Sequence, residues 1–446
     1  MRQRKQQKEQ RKQMKDQMMQ GKQIRGTMKE KKEDEFLAFL RRVHGEHTQV
    51  RAFRYFIEEV FTWYRTVRMG GPDQGVVILG TGIPEELVLA AGATPLHILG
   101  GNHDACEWAD DLVPRDTDPV SRSLLGYLQC LKSDHLLYLV PLYSDSMRKI
   151  AYDLMNQGRK VVTVDFPPDR NASASRRSWT RQMLRMTEAV IEHTGSRVTV
   201  TSLRNAVRRS VRARLTLHEF ALMAPEYSSV LSPSARILIE NSYYYARDLE
   251  TWTRNLRELM QEMREQIRKH QSLSVRKLDL RQDVPRILLM GSPVLAPNDK
   301  VPVLLDQSGL EIWRQADACI NIQYIIPKIR NAGRHPGKMI EIIANAWYRE
   351  DASPAYLTND SMRRRITSLC EFGQIEGVVC HVLKGQLEPD FELAFYEELL
   401  EQFQIPVFRL ETDYQYQDIE QLRIRMEAFT EMLNQNRYVH GTSQAV

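Results

Sequence analysis

HLLYLVPLYSDSMRK, His135 to Lys149, decides the fold class. An unbroken apolar run, His135 to Pro141, gives way within three residues to a serine- and aspartate-started segment that ends in Arg148 and Lys149. That is the pattern of a strand buried on both faces that feeds a helix. The pattern recurs in VVIL (Val76 to Leu79), PLHIL (Pro95 to Leu99) and KVVTVDF (Lys160 to Phe166). Later it returns in RILLMG (Arg286 to Gly291), GVVCHVL (Gly377 to Leu383) and PVFRLE (Pro406 to Glu411). Short apolar runs separated by longer amphipathic stretches predict βαβ units and parallel sheets. Between the two groups, Tyr243 to His270 reads as one long polar helix with a buried stripe of Leu249, Trp252, Leu256, Leu259 and Met263.

The fold class is therefore α/β: two doubly wound, mainly parallel-sheet domains with a helical segment between them and a helical N-terminal extension. The expected divisions are 1–35 (basic extension), 36–74 (helical lead-in), 75–230 (first α/β domain), 231–280 (helical connector) and 281–440 (second α/β domain). In the lead-in, Phe36, Phe39, Leu40 and Val43 fall at helical spacing, and an aromatic-rich stretch follows from Phe53 to Tyr64. A chain of 446 residues exceeds what a single core normally supports, which fits two domains.

Charge is unevenly placed. Met1 to Lys32 carries twelve Lys/Arg against Glu9, Asp16 and Glu30, a net of +9, so an overall +5 leaves −4 for the remainder. The basic segment has no aromatic residue to stack on bases, which argues against nucleic acid and leaves a solvated arm or an acidic partner. Five cysteines without a CxxC pair argue against a disulfide framework and for a reduced, cytoplasmic setting. No run is long and apolar enough to span a bilayer, and the start of the chain lacks a secretory h-region, so neither membrane insertion nor export is expected.

RDTDPVSRS (Arg115 to Ser123), PLYSDSMRK (Pro141 to Lys149) and HVLKGQLEPDFE (His381 to Glu392), with GIPEELVLAAGATP (Gly82 to Pro95) and FRLETDY (Phe408 to Tyr414), resemble the 2-hydroxyacyl-CoA dehydratase and benzoyl-CoA reductase family. The resemblance covers most of the chain. It implies related α/β subunits working in pairs, a separate ATP-driven activator, and a [4Fe-4S] cluster held by one cysteine from each of three loops. There the cluster passes an electron to a thioester so that a 2-hydroxyl group can leave. At the matching positions this chain has Asp118, Ser144 and Gln386. Iron-sulfur clusters need thiolates, so no cluster is expected in this chain, and a cysteine-bearing sister subunit is expected to hold it.

Ligands of open parallel sheets sit beyond the carboxyl ends of the strands, and these three positions follow strand ends or open a helix, so they are expected to converge in a cleft between domains. By resemblance, Thr81 and Glu85 are candidates for contact with a bound acyl thioester; as first-turn carboxylates, Glu85 and Glu86 equally suit a helix dipole. Arg122, Arg148, Lys149 and Lys384 are candidate phosphate contacts, or else surface ion pairs. Cys130, Cys319 and Cys380 read as buried hydrophobes, whereas Cys106 beside His103 and Asp104 gives a weak metal signal. Asp116, Asp118, Asp145 and Asp413 leave a hard-metal site open. The expected role is a subunit of a 2-hydroxyacyl-CoA dehydratase-type complex, structural or substrate-binding; the alternative is a repurposed acyl-CoA or nucleotide binding protein with a partner-recruiting arm.

Overall fold

The structure, a computed structural model, describes residues 34–273, 284–329, 335–353 and 355–443. The basic segment read in the first 32 residues lies outside them. Two four-stranded sheets, parallel throughout, form the frame. The first comprises β1 (Gly75–Leu79), β2 (Pro95–Ile98), β3 (Leu136–Leu142) and β4 (Lys160–Asp165), in the order β2-β1-β3-β4. The second comprises β5 (Arg286–Gly291), β6 (Glu311–Asp317), β7 (Gly377–Leu383) and β8 (Val407–Thr412), in the order β6-β5-β7-β8. Val76 lies opposite Leu137 in one sheet and Ile287 opposite Gly377 in the other. In each sheet the chain runs outward from its first strand, then returns to the other side, which opens a crevice at the carboxyl ends of β1 and β3 and of β5 and β7.

Each apolar run forms a strand, and β7 is buried along its whole length. One strand lacks such a run. EIWRQAD, β6, is an edge strand whose middle residues are half-exposed, so its polar side chains break the pattern that marks the central strands.

The lead-in is two helices, α1 (Glu35–Glu46) and α2 (Phe53–Arg68). Asp34 caps the first through the Leu37 N–H, and Glu262 accepts from the N–H groups of Arg51 and Ala52 ahead of the second. Phe36, Phe39, Leu40 and Val43 are all buried, as the spacing predicts. The helix expected over 243–270 is likewise interrupted: one helix ends at Tyr245, and the next starts at Leu249 with Asp248 accepting from the Thr251 N–H at 2.9 Å. Its stripe, Leu249 to Met263, is buried as expected.

Close helix contact is set by glycine at one point. Between β2 and β3 run α4 (His103–Trp108), placed after α3 (Glu85–Ala90), and α5 (Pro119–Cys130). A Cβ on Gly126 of α5 would stand 1.8 Å from the carbonyl oxygen of Ala105 in α4, inside any permitted contact.

Candidate functional site

The crevices of the two sheets face one another across a cavity of about 500 Å³. Thr81 enters it from the loop after β1, Ser144 from the loop after β3, Ser292 from the loop after β5 and Gln386 from the loop after β7. Asp118, at the start of α5, completes the wall. Asp118, Ser144 and Gln386, far apart in sequence, thus line one cavity.

Each of the three is held by the chain's own hydrogen bonds. Asp118 is the N-cap of α5, accepting from the Ser121 N–H at 2.9 Å, with Pro119 in the first turn. Ser144 caps α6 (Asp145–Asn156), its hydroxyl accepting from the Met147 N–H at 3.3 Å. Gln386 accepts from the Ser292 hydroxyl at 2.7 Å and directs its Nε2 at Asp118 Oδ1, 3.5 Å away. Ser292 in turn accepts from the Leu383 N–H at 2.9 Å, and its own N–H donates to the His381 carbonyl at 2.8 Å. Gly291 makes this staple possible, since a Cβ there would lie 2.2 Å from the His381 carbonyl oxygen.

A cluster draws on thiolates. Here the three loop positions offer a carboxylate, a hydroxyl and an amide, and Cys319 is the single cysteine on the wall among the described residues. Burial pushes the Cys106 and Cys380 thiols up to about 12 and Cys319 well above its ordinary value. Cys106 donates to the Pro119 carbonyl at 3.3 Å. Among the described residues no group of three or more His, Cys, Asp or Glu side chains is arranged to hold a metal ion. The donor set does not fit a [4Fe-4S] cluster.

Of the other sequence-derived candidates, Thr81 and Arg148 line the cavity. Arg148 pairs with Asp165 at 3.1 Å. Glu85 is elsewhere, buried against Arg214 at 2.8 Å and accepting from the Tyr243 hydroxyl, with Glu86 on the same guanidinium at 2.7 Å. Arg122 is turned to Asp110 at 2.6 Å, Lys384 to Asp413 at 3.1 Å, and Lys149 is exposed; none of the three lines the cavity. The structure therefore gathers Thr81, Asp118, Ser144, Arg148 and Gln386, and leaves Glu85, Arg122, Lys149 and Lys384 outside.

Sequence reasoning passed over several wall residues: Tyr143, Ser292, Asp317, Asn359 and Glu392. Ser292 follows RILLMG at a strand end, so the strand-end rule by which Ser144 and Gln386 are expected to converge also reaches it. Asn359 lies in a loop before a helix and carries no comparable signal. Burial also raises the Tyr143 hydroxyl, which lies near Gly80, well above the usual tyrosine range.

Asp351 stands behind the Thr81–Gly82 turn, 3.7 Å from where a Gly82 Cβ would be. It is 4% exposed, its Oδ2 has no partner among the described residues, and burial outweighs nearby Arg170 to hold its carboxyl up at about 6 against an ordinary 3.8. The folded state therefore binds this proton more tightly than the unfolded chain does. The resulting stability is fully present below pH ~4 and is lost as pH rises through ~6, on the order of 3 kcal/mol. Urea titrations across that window are expected to show a fall that the Asp351→Asn variant lacks; identical profiles would place Asp351 outside the account.

No helix among the described residues is long and apolar enough to cross a membrane. The chain is similar to a protein of Escherichia coli (strain K12) named as a dehydratase subunit, YjiM, 25% identical over 388 residues, covering 85% of this chain and 97% of that one. It is similar also to the (R)-phenyllactyl-CoA dehydratase beta subunit of Clostridium sporogenes, 22% identical over 353 residues, covering 78% and 89%. The model of the 2-hydroxyglutaryl-CoA dehydratase D-component family matches residues 81–433, from the Thr81 turn through β8 and beyond, and the chain belongs to that family.

Proposed function

We propose that this chain is a cluster-free subunit of a 2-hydroxyacyl-CoA dehydratase-type or benzoyl-CoA reductase-like complex, acting in the cytoplasm as the structural or substrate-binding partner of a cysteine-bearing sister subunit. The supporting observation is the wall itself. Three loops meet on one cavity, and their matching positions hold Asp118, Ser144 and Gln386, each engaged in hydrogen bonds within the chain. A further contact, from Gln386 Nε2 to Asp118 Oδ1 at 3.5 Å, links two of the loops. The cavity has the volume and shelter a small acyl group needs. The electron-transfer step then belongs to the sister subunit.

Anaerobic purification with and without a co-expressed sister chain tests this reading. A stable complex, brown only when both chains are present and with its iron on the sister chain, is the expected outcome. Stoichiometric iron in this chain alone overturns it. A chain that binds acyl-CoA but takes no partner supports instead a repurposed binding protein.

A further inference from the structure

The cavity is acidic. Among the described residues, Asp118, Asp145, Asp317, Glu388 and Glu392 line it, against one arginine, Arg148, whose charge is drawn off to Asp165 at 3.1 Å and Asp145 at 3.9 Å. Three helices start at its edge: α5, α6 and α14 (Glu388–Gln402). Helix N-termini ordinarily attract anions. Here each already carries a carboxylate of the chain, Asp118 as cap of α5, Asp145 in the first turn of α6 and Glu388 in the first turn of α14. The positive ends are neutralised before any ligand arrives.

Two further observations point the same way. Asn359, 7% exposed, spends its Nδ2 on the Ser353 carbonyl at 3.4 Å, while its Oδ1 has no partner among the described residues. A buried acceptor left in this state calls for a ligand that donates a hydrogen bond. Burial raises the Glu392 carboxyl, which accepts from the Tyr396 hydroxyl at 2.8 Å, so a second negative charge beside it meets both repulsion and poor solvation. The remaining wall is apolar, including Leu99, Phe166, Met290, Leu295 and Met362.

We infer that this cavity accepts the uncharged acyl part of a 2-hydroxyacyl thioester and rejects acyl groups that end in a carboxylate. The inference rests on the substrate-binding reading above and adds the discrimination by charge. Its physical basis is a difference between two ligands: an alkyl terminus gains from the apolar wall, whereas a carboxylate must lie among like charges with no free cation among the described residues of the wall to meet it.

Calorimetric binding of two thioesters to the full chain, and to its complex with the sister subunit, tests the claim. 2-Hydroxy-4-methylpentanoyl-CoA and 2-hydroxyglutaryl-CoA share the CoA moiety and the 2-hydroxyl, so their difference reports the acyl terminus. At neutral pH and low salt the dicarboxylic thioester is expected to bind at least about tenfold more weakly. The gap should shrink in high salt and in the Glu388→Gln/Glu392→Gln variant, through tighter binding of the dicarboxylic ligand. Equal affinities, or a preference for the glutaryl thioester, overturn the inference and leave the substrate-binding reading intact. Binding of neither ligand, by a folded chain or by the complex, overturns both, and co-purification then decides whether a structural role stands.

Discussion

Arg214→Ala is expected to cost about 3–5 kcal/mol of stability, because it leaves two carboxylates buried without their cation. Arg214 is fully buried and reaches four partners: Glu85 at 2.8 Å, Glu86 at 2.7 Å, the Tyr243 hydroxyl at 3.0 Å and the Ile325 carbonyl at 2.8 Å. Glu86 also accepts from Trp347 Nε1 at 2.9 Å and the Ser210 hydroxyl at 3.1 Å. These donors remain after the substitution but do not neutralise the charge. Arg214→Lys should recover only part of the loss, since an ammonium has three donors and cannot fork to opposite sides. Replacing the whole triad, as Arg214→Met with Glu85→Gln and Glu86→Gln, should recover more than Arg214→Lys does, because no buried charge remains. Urea unfolding monitored by tryptophan fluorescence reads all three, and an Arg214→Ala variant within ~1 kcal/mol of the wild type would contradict the placement.

Gly126→Ala carries the second large effect, and two terms compete. Alanine in a helix interior gains about 1 kcal/mol over glycine from propensity. Against it stands the approach of α4: a Cβ 1.8 Å from the Ala105 carbonyl oxygen and 2.6 Å from its carbon cannot be relieved by a side-chain rotation, because the obstacle is backbone. Overpacking costs typically about 1–3 kcal/mol, and because whole helices must part the upper end applies, so the net should be about 2 kcal/mol of destabilisation. The shift should appear in the urea midpoint. As α5 begins with Asp118, the same variant should loosen the cavity wall, read as faster amide exchange at the start of α5. A stabilised Gly126→Ala protein would mean that α4 and α5 do not touch as described.

How much of this could be read in the residues depended on what each signal encodes. Central parallel strands are apolar on both faces, so the runs at Val76, Leu136, Arg286 and Gly377 marked both sheets directly. The edge strand Glu311–Asp317 has solvent on one side and reads as mixed composition. Helix breaks near residues 47–52 and 246–248 went unread, because apolar spacing persists across them while the caps that divide the helices come partly from distant residues such as Glu262. Convergence of Asp118, Ser144 and Gln386 was legible, since strand ends in a doubly wound sheet have a fixed side. The charged side chains were not. Whether Arg122 or Lys384 turns to a cavity or to Asp110 and Asp413 depends on counter-ions brought close by folding, and Glu85 meets Arg214 from 129 residues away.

Replacing Asp118, Ser144 and Gln386 together by cysteine tests the central claim most directly, because three thiolates can share one cluster only if the three loops meet. Anaerobic reconstitution of the folded triple variant with iron and sulfide is predicted to give about four iron atoms per chain and a brown absorption band that the wild-type protein lacks. A folded triple variant that stays colourless and free of iron, or a wild-type chain that takes up the cluster equally well, would contradict the account.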